Sequence, residues 1–405
     1  DPSANSWKKL RSMPTPRGGL GATIVQGRLM AIGGETPTKA LNTVEGYDIG
    51  KDTWSTLPSM KVGRHGMAAA VIGQSVYALD GAISPTHAQP SATAEALDFA
   101  GPPAAANPKP QATPQAGFQW RAIHNAPTAR QQLAAAVQNG TVWIFGGLTG
   151  SVSTTKTEGY DPAIDTWKSG PDLPLPLHHE MGATYKGEPV VMGGWIPSGA
   201  QLDATASNRV FALRNGAWVE LPKMNHPRAA GAAAVVGNKL VVVGGQASGQ
   251  LVKTTEVFDG KSWKDVADIP TPRDHLGAAS DGKYVYAVGG RQLSADKNSG
   301  ALERYNPADD TWTKLPSMPT PRGGLGVAIV QARLVALGGE APTNVINVVE
   351  GFDLKKGKWS ALPPMKTPRH GMAVAVVGKS LFALDGAAAP THSQSTAVAE
   401  VLDFP

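Results

Sequence analysis

An arginine opens an apolar segment seven times along the chain, and a histidine takes its place once. These residues are Arg17, Arg64, Arg130, His178, Arg228, Arg273, Arg322 and Arg369. The residue that follows is polar in several copies, namely His65, His179, Asp274 and His370. Guanidinium groups suit carboxylate, sulfate or phosphate because they donate paired hydrogen bonds.

Two interpretations of these residues are open. If the segments surround a common axis, the side chains form a ring of guanidinium and imidazole groups at one mouth of a channel, and such a ring attracts an anion. Alternatively, each arginine bonds backbone carbonyls or an acidic residue of an adjacent segment.

Loops that follow recurrent glycine pairs form a second candidate surface, because recognition residues are common on loops of a rigid scaffold. Trp195 heads one such loop and lies outside the repeat pattern, so we expect it to contact a ligand or partner. His87 and His392 occupy twin Pro-Thr-His sequences and are further loop candidates. No close spacing of His, Asp or Glu supports either as a metal ligand, so no metal site and no cofactor are predicted.

Catalytic motifs are missing from the sequence. It has neither a Gly-x-Ser-x-Gly elbow nor a His-Glu-x-x-His pair, and it contains no cysteine. No catalytic residue is therefore assigned. The net charge of +5 is dispersed over 405 residues, which gives no sign of nucleic-acid binding. There is no basic and apolar leader, nor a run of about 18 apolar residues that predicts a membrane span.

The chain is built from eight copies of one segment. A tryptophan marks each copy, at Trp7, Trp54, Trp120, Trp167, Trp218, Trp263, Trp312 and Trp359. One spacing is longer than the rest because residues 100–117, rich in proline and alanine, are inserted there. We therefore expect two repeats in residues 1–99, a linker or long loop in residues 100–117, and six repeats in residues 118–405.

Within a copy, short apolar runs separated by turns predict four antiparallel strands. The 47 glycines and 33 prolines agree with many short strands and turns. A small sheet with two apolar faces needs a neighbour on each side, so the sequence favours repeated sheets stacked in a ring. The glycine pairs and aromatic residues then serve packing, not phosphate binding.

The order of residues in a copy resembles the kelch repeat. The first copy has Gly33-Gly34, then Glu45-Gly46-Tyr47-Asp48, then Trp54, and the pattern recurs at a period near 47 over nearly the whole chain. The resemblance implies an all-β propeller of four-stranded antiparallel blades. Asp80-Gly81 and Asp385-Gly386 depart from the glycine pair, and the fourth copy has Asn208-Arg209-Val210-Phe211, without the acidic residues.

Closure of the ring has two possible solutions. Residues 1–100 align with 306–405 without a gap, and roughly 60 of the 100 pairs are identical. The last copy lacks a fourth strand, which in the kelch family comes from the N-terminal side. Residues 6–10 would give one eight-bladed ring, which we favour because two blades alone expose apolar faces. Residues 118–123 would instead give a six-bladed ring, with residues 1–99 as two blades of an upstream propeller.

The favoured function is a non-enzymatic bacterial recognition module that binds a protein partner or a small anionic or carbohydrate ligand. Fold-level analogy places it outside the cytoplasm, in the sensor part of a larger protein such as a receptor kinase. A copper-radical oxidase is excluded because that chemistry needs cysteine. The alternative is an enzyme that resembles the sialic acid mutarotases, with an anionic sugar held by His179, Glu180, Arg228, Arg273 and Asp274.

Overall fold

The computed structural model describes residues 9–25, 27–72, 75–85, 89–98, 117–391 and 394–405. These residues fall into two compact units, Asp1–Lys109 and Pro110–Pro405. Almost all regular structure in the described residues is β-strand, and Ala295–Lys297 forms a short 3-10 helix. No described helix is long and apolar enough to cross a membrane. Apart from Gly117, the linker expected in residues 100–117 lies outside the described residues.

Eight small antiparallel sheets follow one another along the chain, and we number them blades 1 to 8. Blades 3 to 7 belong to the second unit, and each has four strands in sequence order. Blade 3 comprises Ala134–Gln138, Thr141–Phe145, Thr157–Asp161 and Thr166–Ser169; blade 4 comprises Met181–Tyr185, Glu188–Met192, Val210–Arg214 and Ala217–Leu221. Blade 5 comprises Ala232–Val236, Lys239–Val243, Thr255–Phe258 and Trp263–Val266; blade 6 comprises Gly277–Ser280, Val285–Val288, Leu302–Asn306 and Thr311–Leu315; blade 7 comprises Gly326–Val330, Arg333–Leu337, Val349–Asp353 and Lys358–Leu362.

Blade 8 takes its strands from both ends of the second unit. Its first three strands are Ala373–Val377, Ser380–Leu384 and Ala399–Asp403. The fourth is Gln119–Ala122, which pairs antiparallel with Ala399–Asp403. The indole nitrogen of Trp120 donates to the Pro363 carbonyl at 2.8 Å, which ties the closing strand to the end of blade 7.

The six blades of the second unit close into a ring. Each blade packs its apolar face on the next, from blade 3 through blade 8 and back to blade 3. The last interface joins Leu384 and Val401 of blade 8 to Val142 and Tyr160 of blade 3. Since every blade face is covered by a neighbour, this unit has no open blade face.

The glycine pairs join neighbouring blades. Gly193 has a φ of 65°, and a Cβ there would lie 2.5 Å from the Arg228 carbonyl of the next blade. The following residue, Gly194, donates its N–H to that carbonyl at 2.9 Å. A larger residue at Gly193 would be strained and would block this approach. The glycine pairs are therefore structural, as the sequence analysis predicted.

The first unit contains blades 1 and 2. Blade 1 has four strands, Gly21–Val25, Arg28–Ile32, Val44–Asp48 and Thr53–Leu57, whereas blade 2 has three described strands, Ala68–Ile72, Ser75–Leu79 and Ala94–Asp98. The two blades share one apolar core that includes Met30, Ile32, Val76 and Ala78.

The structure confirms eight repeats with kelch-like blades but changes the expected closure. One eight-bladed ring would pair Ala399–Asp403 with residues 6–10, most of which lie outside the described residues. That strand edge is instead occupied by Gln119–Ala122. The six-bladed alternative is therefore the arrangement found, because the closing strand directly precedes blade 3 and reaches blade 8 without crossing another blade.

Short two-stranded hairpins extend several of the loops that follow the second strand of a blade. They are Glu35–Thr36 with Lys39–Ala40, Leu148–Thr149 with Val152–Ser153, Trp195–Ser198 with Gln201–Ala206, and Gln246–Ala247 with Gln250–Leu251. Because successive strands alternate in direction, the hairpins of the second unit and the connections between its blades lie at the same end of its ring. We call that end of the second unit the mouth face. The turns between first and second strands, and between third and fourth strands, lie at the opposite end.

Candidate functional site

Backbone hydrogen bonds form a closed circle where the six blades of the second unit meet at the mouth face. One residue per blade donates its N–H to the carbonyl of the equivalent residue in the preceding blade. The donors are Gln132, His179, Ala230, His275, Gly324 and Gly371, with N···O distances of 2.7 to 2.9 Å. All six have positive φ, between 53° and 63°. This strained but fully bonded backbone fixes the side chains around the mouth.

Each of these residues directly follows a bridge between the inner strand and the loop after the glycine pair. His178 bridges Trp195, just as Gln131 bridges Leu148 in blade 3 and Asp274 bridges Arg291 in blade 6. His178 is therefore equivalent to Gln131, and Leu177 occupies the arginine position of blade 4. Sequence analysis assigned His178 to the arginine position and His179 to the residue after it. The structure corrects this assignment, because each histidine belongs one position later in the repeat.

The arginine ring predicted at the mouth is not present as an open cationic surface. Arg130, Arg228, Arg273, Arg322 and Arg369 are fully buried, as is Arg64 of the first unit. The side chain of Arg17 is also fully buried. Each points between the strands of its own blade. The structural alternative holds, with the difference that the backbone carbonyls and the hydrogen-bonded glutamate belong to the same blade. Arg130 in addition has Asp385 of the adjacent blade 8 at 3.6 Å from its Nε.

Blade 5 shows the contacts that hold these arginines. Arg228 Nη1 donates to the Gly244 and Thr254 carbonyls at 2.9 Å, and Nη2 donates to Glu256 at 2.6 Å. Burial lowers the pKa of the Arg228 guanidinium, and Glu256 opposes that effect. In blade 4 both partners are replaced together, by Leu177 and Phe211, so no buried charge is left without its counterion.

A network of polar side chains does converge at the mouth face, and we call it the mouth cluster: Asp274, His275, Arg291, Glu340 and His370. Asp274 accepts from His275 Nδ1 and from the Leu293 N–H at 2.8 Å. His275 Nε2 lies 3.0 Å from Arg291 Nη2. Because Arg291 can only donate, Nε2 is the acceptor and the His275 proton is on Nδ1.

Electrostatics also favour an ionised Asp274. Burial raises its pKa, but the hydrogen bond from His275, the Leu293 N–H and the charge of Arg291 together bring the pKa below its ordinary value. The Asp274 carboxylate is thus held on three sides by donors from blade 6. It is positioned by these donors and not open to the channel.

Arg291 links blade 6 to blades 7 and 8. Its Nη1 donates to Glu340, and Glu340 Oε2 accepts from the Thr391 N–H at 3.3 Å and lies 3.8 Å from His370 Nδ1. His370 Nε2 donates to the Ala389 carbonyl at 2.9 Å. Burial lowers the His370 pKa, with Glu340 opposing.

A pair of histidines from blade 4 extends the network. The Nδ1 atoms of His178 and His179 are 2.7 Å apart, so one of them donates to the other. His178 Nε2 lies 3.2 Å from the Leu202 carbonyl, which makes His178 Nδ1 the acceptor. The ring of His179 packs edge-on against His275 with centroids 4.9 Å apart. Polar contacts therefore run from blade 4 to blade 8.

The predicted site residues have different outcomes. His178, His179, Asp274 and His370 come together at the mouth, whereas the arginines do not. Trp195 is buried, with 6% exposure, so it is not an aromatic ligand platform. His65 of the first unit lies 3.5 Å from Glu35, a pairing equivalent to His370 and Glu340. His87 and His392 lie outside the described residues.

Glu180 is set apart from the mouth cluster. Its Oε1 accepts from the Ala134 N–H of blade 3 at 3.2 Å, and Oε2 is buried without a hydrogen-bond partner among the described atoms. Burial raises the Glu180 pKa to about 8, so the carboxyl is largely protonated at neutral pH. Among the described residues, no group of three or more His, Asp or Glu is placed to hold a metal ion.

Sequence analysis missed His275, Arg291 and Glu340. Arg291 and Glu340 each directly follow a glycine pair, Gly289-Gly290 and Gly338-Gly339. That position bridges the residue after the repeated arginine, as Gly323 bridges Glu340. Tabulating the residue after each glycine pair would have found Arg291 and Glu340.

Comparison with protein families assigns the architecture. The family model described as the KLHDC2/KLHL20/DRC7 Kelch-repeats domain matches residues 178–386, and the Kelch motif matches residues 16–61 and 129–174. The chain belongs to the kelch-repeat family.

Individual kelch relatives are distant. Kelch-like protein 38 of Rattus norvegicus is 27% identical over 201 residues, covering 48% of this chain and 33% of that protein. Beta-scruin of Limulus polyphemus is 25% identical over 280 residues (66% and 29%), and Kelch-like protein terF of Aspergillus terreus is 27% identical over 216 residues (50% and 43%). The chain spans between 29% and 43% of the lengths of these relatives.

A solved structure shares the fold. The structure of YjhT superposes with a TM-score of 0.61 and 16% identity, covering 69% of this chain and 96% of that chain. At this identity the likeness shows a common propeller fold.

Proposed function

We propose that this chain is a non-enzymatic recognition module that binds a protein partner through the mouth face of residues 117–405. The observation that carries the proposal is the arrangement of the mouth. Hydrogen bonds within blade 6 and to blade 7 hold together Asp274, His275, Arg291 and Glu340. The loops around this cluster, which we call the rim, expose both apolar and charged side chains. A rigid polar cluster surrounded by exposed loops suits binding.

Exposed apolar side chains on the rim support a protein partner. Val152 is 66% exposed and Leu293 is 43% exposed, and both lie on loops that follow a glycine pair. Charged Asp203, Asp296 and Lys297 are exposed on the same face. Apolar anchors among polar groups are typical of protein interfaces. Kelch propellers commonly act as protein-binding modules, which agrees with this surface.

The mouth cluster does not favour an anionic ligand. It contains two carboxylates, Asp274 and Glu340, and one guanidinium, Arg291, and the two carboxylates compensate that cation. The mutarotase alternative also used Arg228 and Arg273 to bind a sugar carboxylate, but these side chains are paired with Glu256 and Glu303. We therefore favour a protein partner over an anionic sugar.

The cellular context is part of the same proposal. We propose that the module lies outside the cytoplasm of a bacterium, as the sensor part of a larger protein such as a receptor kinase. The alanine- and proline-rich segment 100–117 supports this by composition. Fractionation of the source cells with an antibody against the chain tests the location.

The binding proposal is tested with a phage-displayed peptide library selected on the full chain. Calorimetry would then compare the selected peptides on Val152→Asp and Leu293→Asp variants, with Ile164→Asp as the control. Ile164 is 67% exposed but lies in a turn at the opposite end of the ring. We expect at least tenfold weaker binding for the rim variants and no change for the control.

Two results would contradict the proposal. The first is equal binding by the rim variants and the wild type. The second would be an increase in the rate at which the anomers of N-acetylneuraminate interconvert when the chain is added, as monitored by NMR. That result would make the protein an enzyme.

A further inference from the structure

Among the described residues, blade 2 leaves open a strand edge that is covered in blade 8. These two blades are sequence twins, related by the gap-free alignment of the first and last hundred residues. The third strand of blade 2, Ala94–Asp98, pairs with another described strand on one side only, whereas its equivalent Ala399–Asp403 also pairs with Gln119–Ala122. Accordingly, Ala96 is exposed and its equivalent Val401 is fully buried. The open edge can therefore accept a further strand.

A cavity of about 120 Å³ lies beside this edge, between blades 1 and 2. Its apolar lining comes from both blades and consists of Ile32, Val44, Met60, Val76, Ala78 and Leu97. The equivalent side chains of the second unit all pack in one core cluster with Trp120 of the closing strand, and they are Leu337, Val349, Met365, Leu381, Ala383 and Leu402. The cavity of the first unit thus lies where the twin blades hold an indole ring.

The cavity also offers an acceptor for an indole N–H. In the second unit, Trp120 donates its indole N–H to the Pro363 carbonyl at 2.8 Å. Pro58 is the equivalent of Pro363 and lines the cavity. Because a buried indole needs such an acceptor, tryptophan suits this cavity better than a wholly apolar side chain.

An aspartate at the open edge indicates the charge of the next residue in the occupant. Arg121, which follows the tryptophan of the closing strand, pairs with Asp403 at 2.8 Å. Asp98 is the equivalent of Asp403, and it is exposed. Both aspartates accept from a serine of the neighbouring strand, Ser75 and Ser380, which orients the two carboxylates alike. A strand bound here should therefore carry a basic residue directly after its tryptophan.

We propose that the cavity and the open edge of blade 2 form a binding site for a tryptophan-bearing β-strand of a partner polypeptide. The strand pairs antiparallel with Ala94–Asp98, places its indole ring in the cavity and places the following lysine or arginine beside Asp98. In this mode of recognition the backbone hydrogen bonds supply affinity and the side-chain pocket supplies specificity. The site belongs to the first unit, so its test does not depend on the function proposed for the mouth face.

The test uses the full chain and a fluorescently labelled synthetic peptide of residues 117–124, Gly-Phe-Gln-Trp-Arg-Ala-Ile-His. Fluorescence anisotropy should show saturable binding, and the Trp120→Ala peptide should bind about tenfold more weakly or worse. Amide exchange measured by mass spectrometry should slow in Ala94–Asp98 when the peptide binds. Exchange in Ala399–Asp403 should stay unchanged, because that edge is paired with its own closing strand.

A charge exchange tests the pairing with Asp98. Asp98→Arg should weaken binding of the peptide about two- to fivefold, and the Arg121→Glu peptide should recover that loss. Asp403→Arg is the matched control in the second unit and should leave peptide binding unchanged. An Arg121→Glu peptide that binds Asp98→Arg no better than the original peptide does would contradict the proposed pairing.

Other occupants of the site would give different results, and each would overturn the proposal. Absence of binding at millimolar peptide would exclude a strand site, as would slowed exchange in Ala399–Asp403 in place of Ala94–Asp98. Binding by a Trp7→Ala variant but not by the wild type would make residues 6–9 of the same chain the occupant. A chain that self-associates in sedimentation velocity and dissociates on addition of the peptide would make a second copy the occupant.

Discussion

At the residue scale, the repeated arginine holds the strands of its own blade together and is not placed to bind a ligand. Arg228, Arg273 and Arg322 each join a carboxylate of the third strand to a backbone carbonyl at the end of the second strand. A buried ion pair is stabilising only while both members are present. Blade 4 supports this interpretation, because Leu177 and Phe211 replace both members.

This pairing predicts a large difference between single and double substitutions. Arg228→Leu leaves Glu256 buried without its counterion, and should lower the free energy of unfolding by about 3 to 5 kcal/mol. Arg228→Leu combined with Glu256→Phe copies blade 4 and should recover at least half of that loss. Urea unfolding measures both variants. A double variant as unstable as the single one would contradict the role assigned to the pair.

Glu180 gives a pH-dependent prediction. Its pKa is raised from 4.5 to about 8 in the folded chain, so the folded state holds a proton that the unfolded state loses between these values. Stability should therefore fall as pH rises from about 4.5 to 8. Glu180→Gln should stabilise the protein by a few kcal/mol at pH 8.5 and change little at pH 4.5.

Glu188→Gln is the control for that measurement, because hydrogen bonds from Arg214 lower the pKa of Glu188. This variant should not flatten the pH dependence of unfolding between pH 4.5 and 8. If Glu180→Gln left the pH dependence of the free energy of unfolding unchanged, the claim that the Glu180 carboxyl is buried and protonated would be contradicted.

At the element scale, the strand Gln119–Ala122 decides the architecture. Its Trp120 packs in the core between blades 7 and 8 with Leu402 and Phe404. Trp120→Ala removes that packing and the bond to Pro363, so we expect a loss of about 3 to 5 kcal/mol. Amide exchange in Ala399–Asp403 should accelerate with it. Trp54→Ala in the first unit is the control and should leave exchange in that strand unchanged.

The sequence predicted well which residues form strands. It predicted less well which strand edges pair in the folded chain. Four short apolar runs per copy, bounded by glycine and proline, specify the blades because the pattern is local. Closure by residues 118–123 or 6–10 depends on which edge a strand meets in space, so both choices fitted the pattern. The mouth cluster was only half predicted, because a bridge between two loops brings Arg291 beside Asp274 from 17 residues away.

At the scale of the whole molecule, the central claim is that residues 117–405 form a complete six-bladed ring that carries the mouth face. The ring has a continuous core from blade to blade and a closed circle of backbone hydrogen bonds. Such a unit should be stable without blades 1 and 2. The proposed recognition surface depends on that closure, because the mouth cluster spans blades 6 to 8.

The most direct test is the thermal unfolding of a fragment of residues 117–405 beside one of residues 124–405, which lacks the closing strand. The account predicts that the longer fragment unfolds cooperatively, within a few degrees of the corresponding transition in the full chain, and that the shorter one is much less stable or aggregates. If the longer fragment does not fold, or if the two fragments unfold alike, closure by Gln119–Ala122 and the six-bladed ring are contradicted.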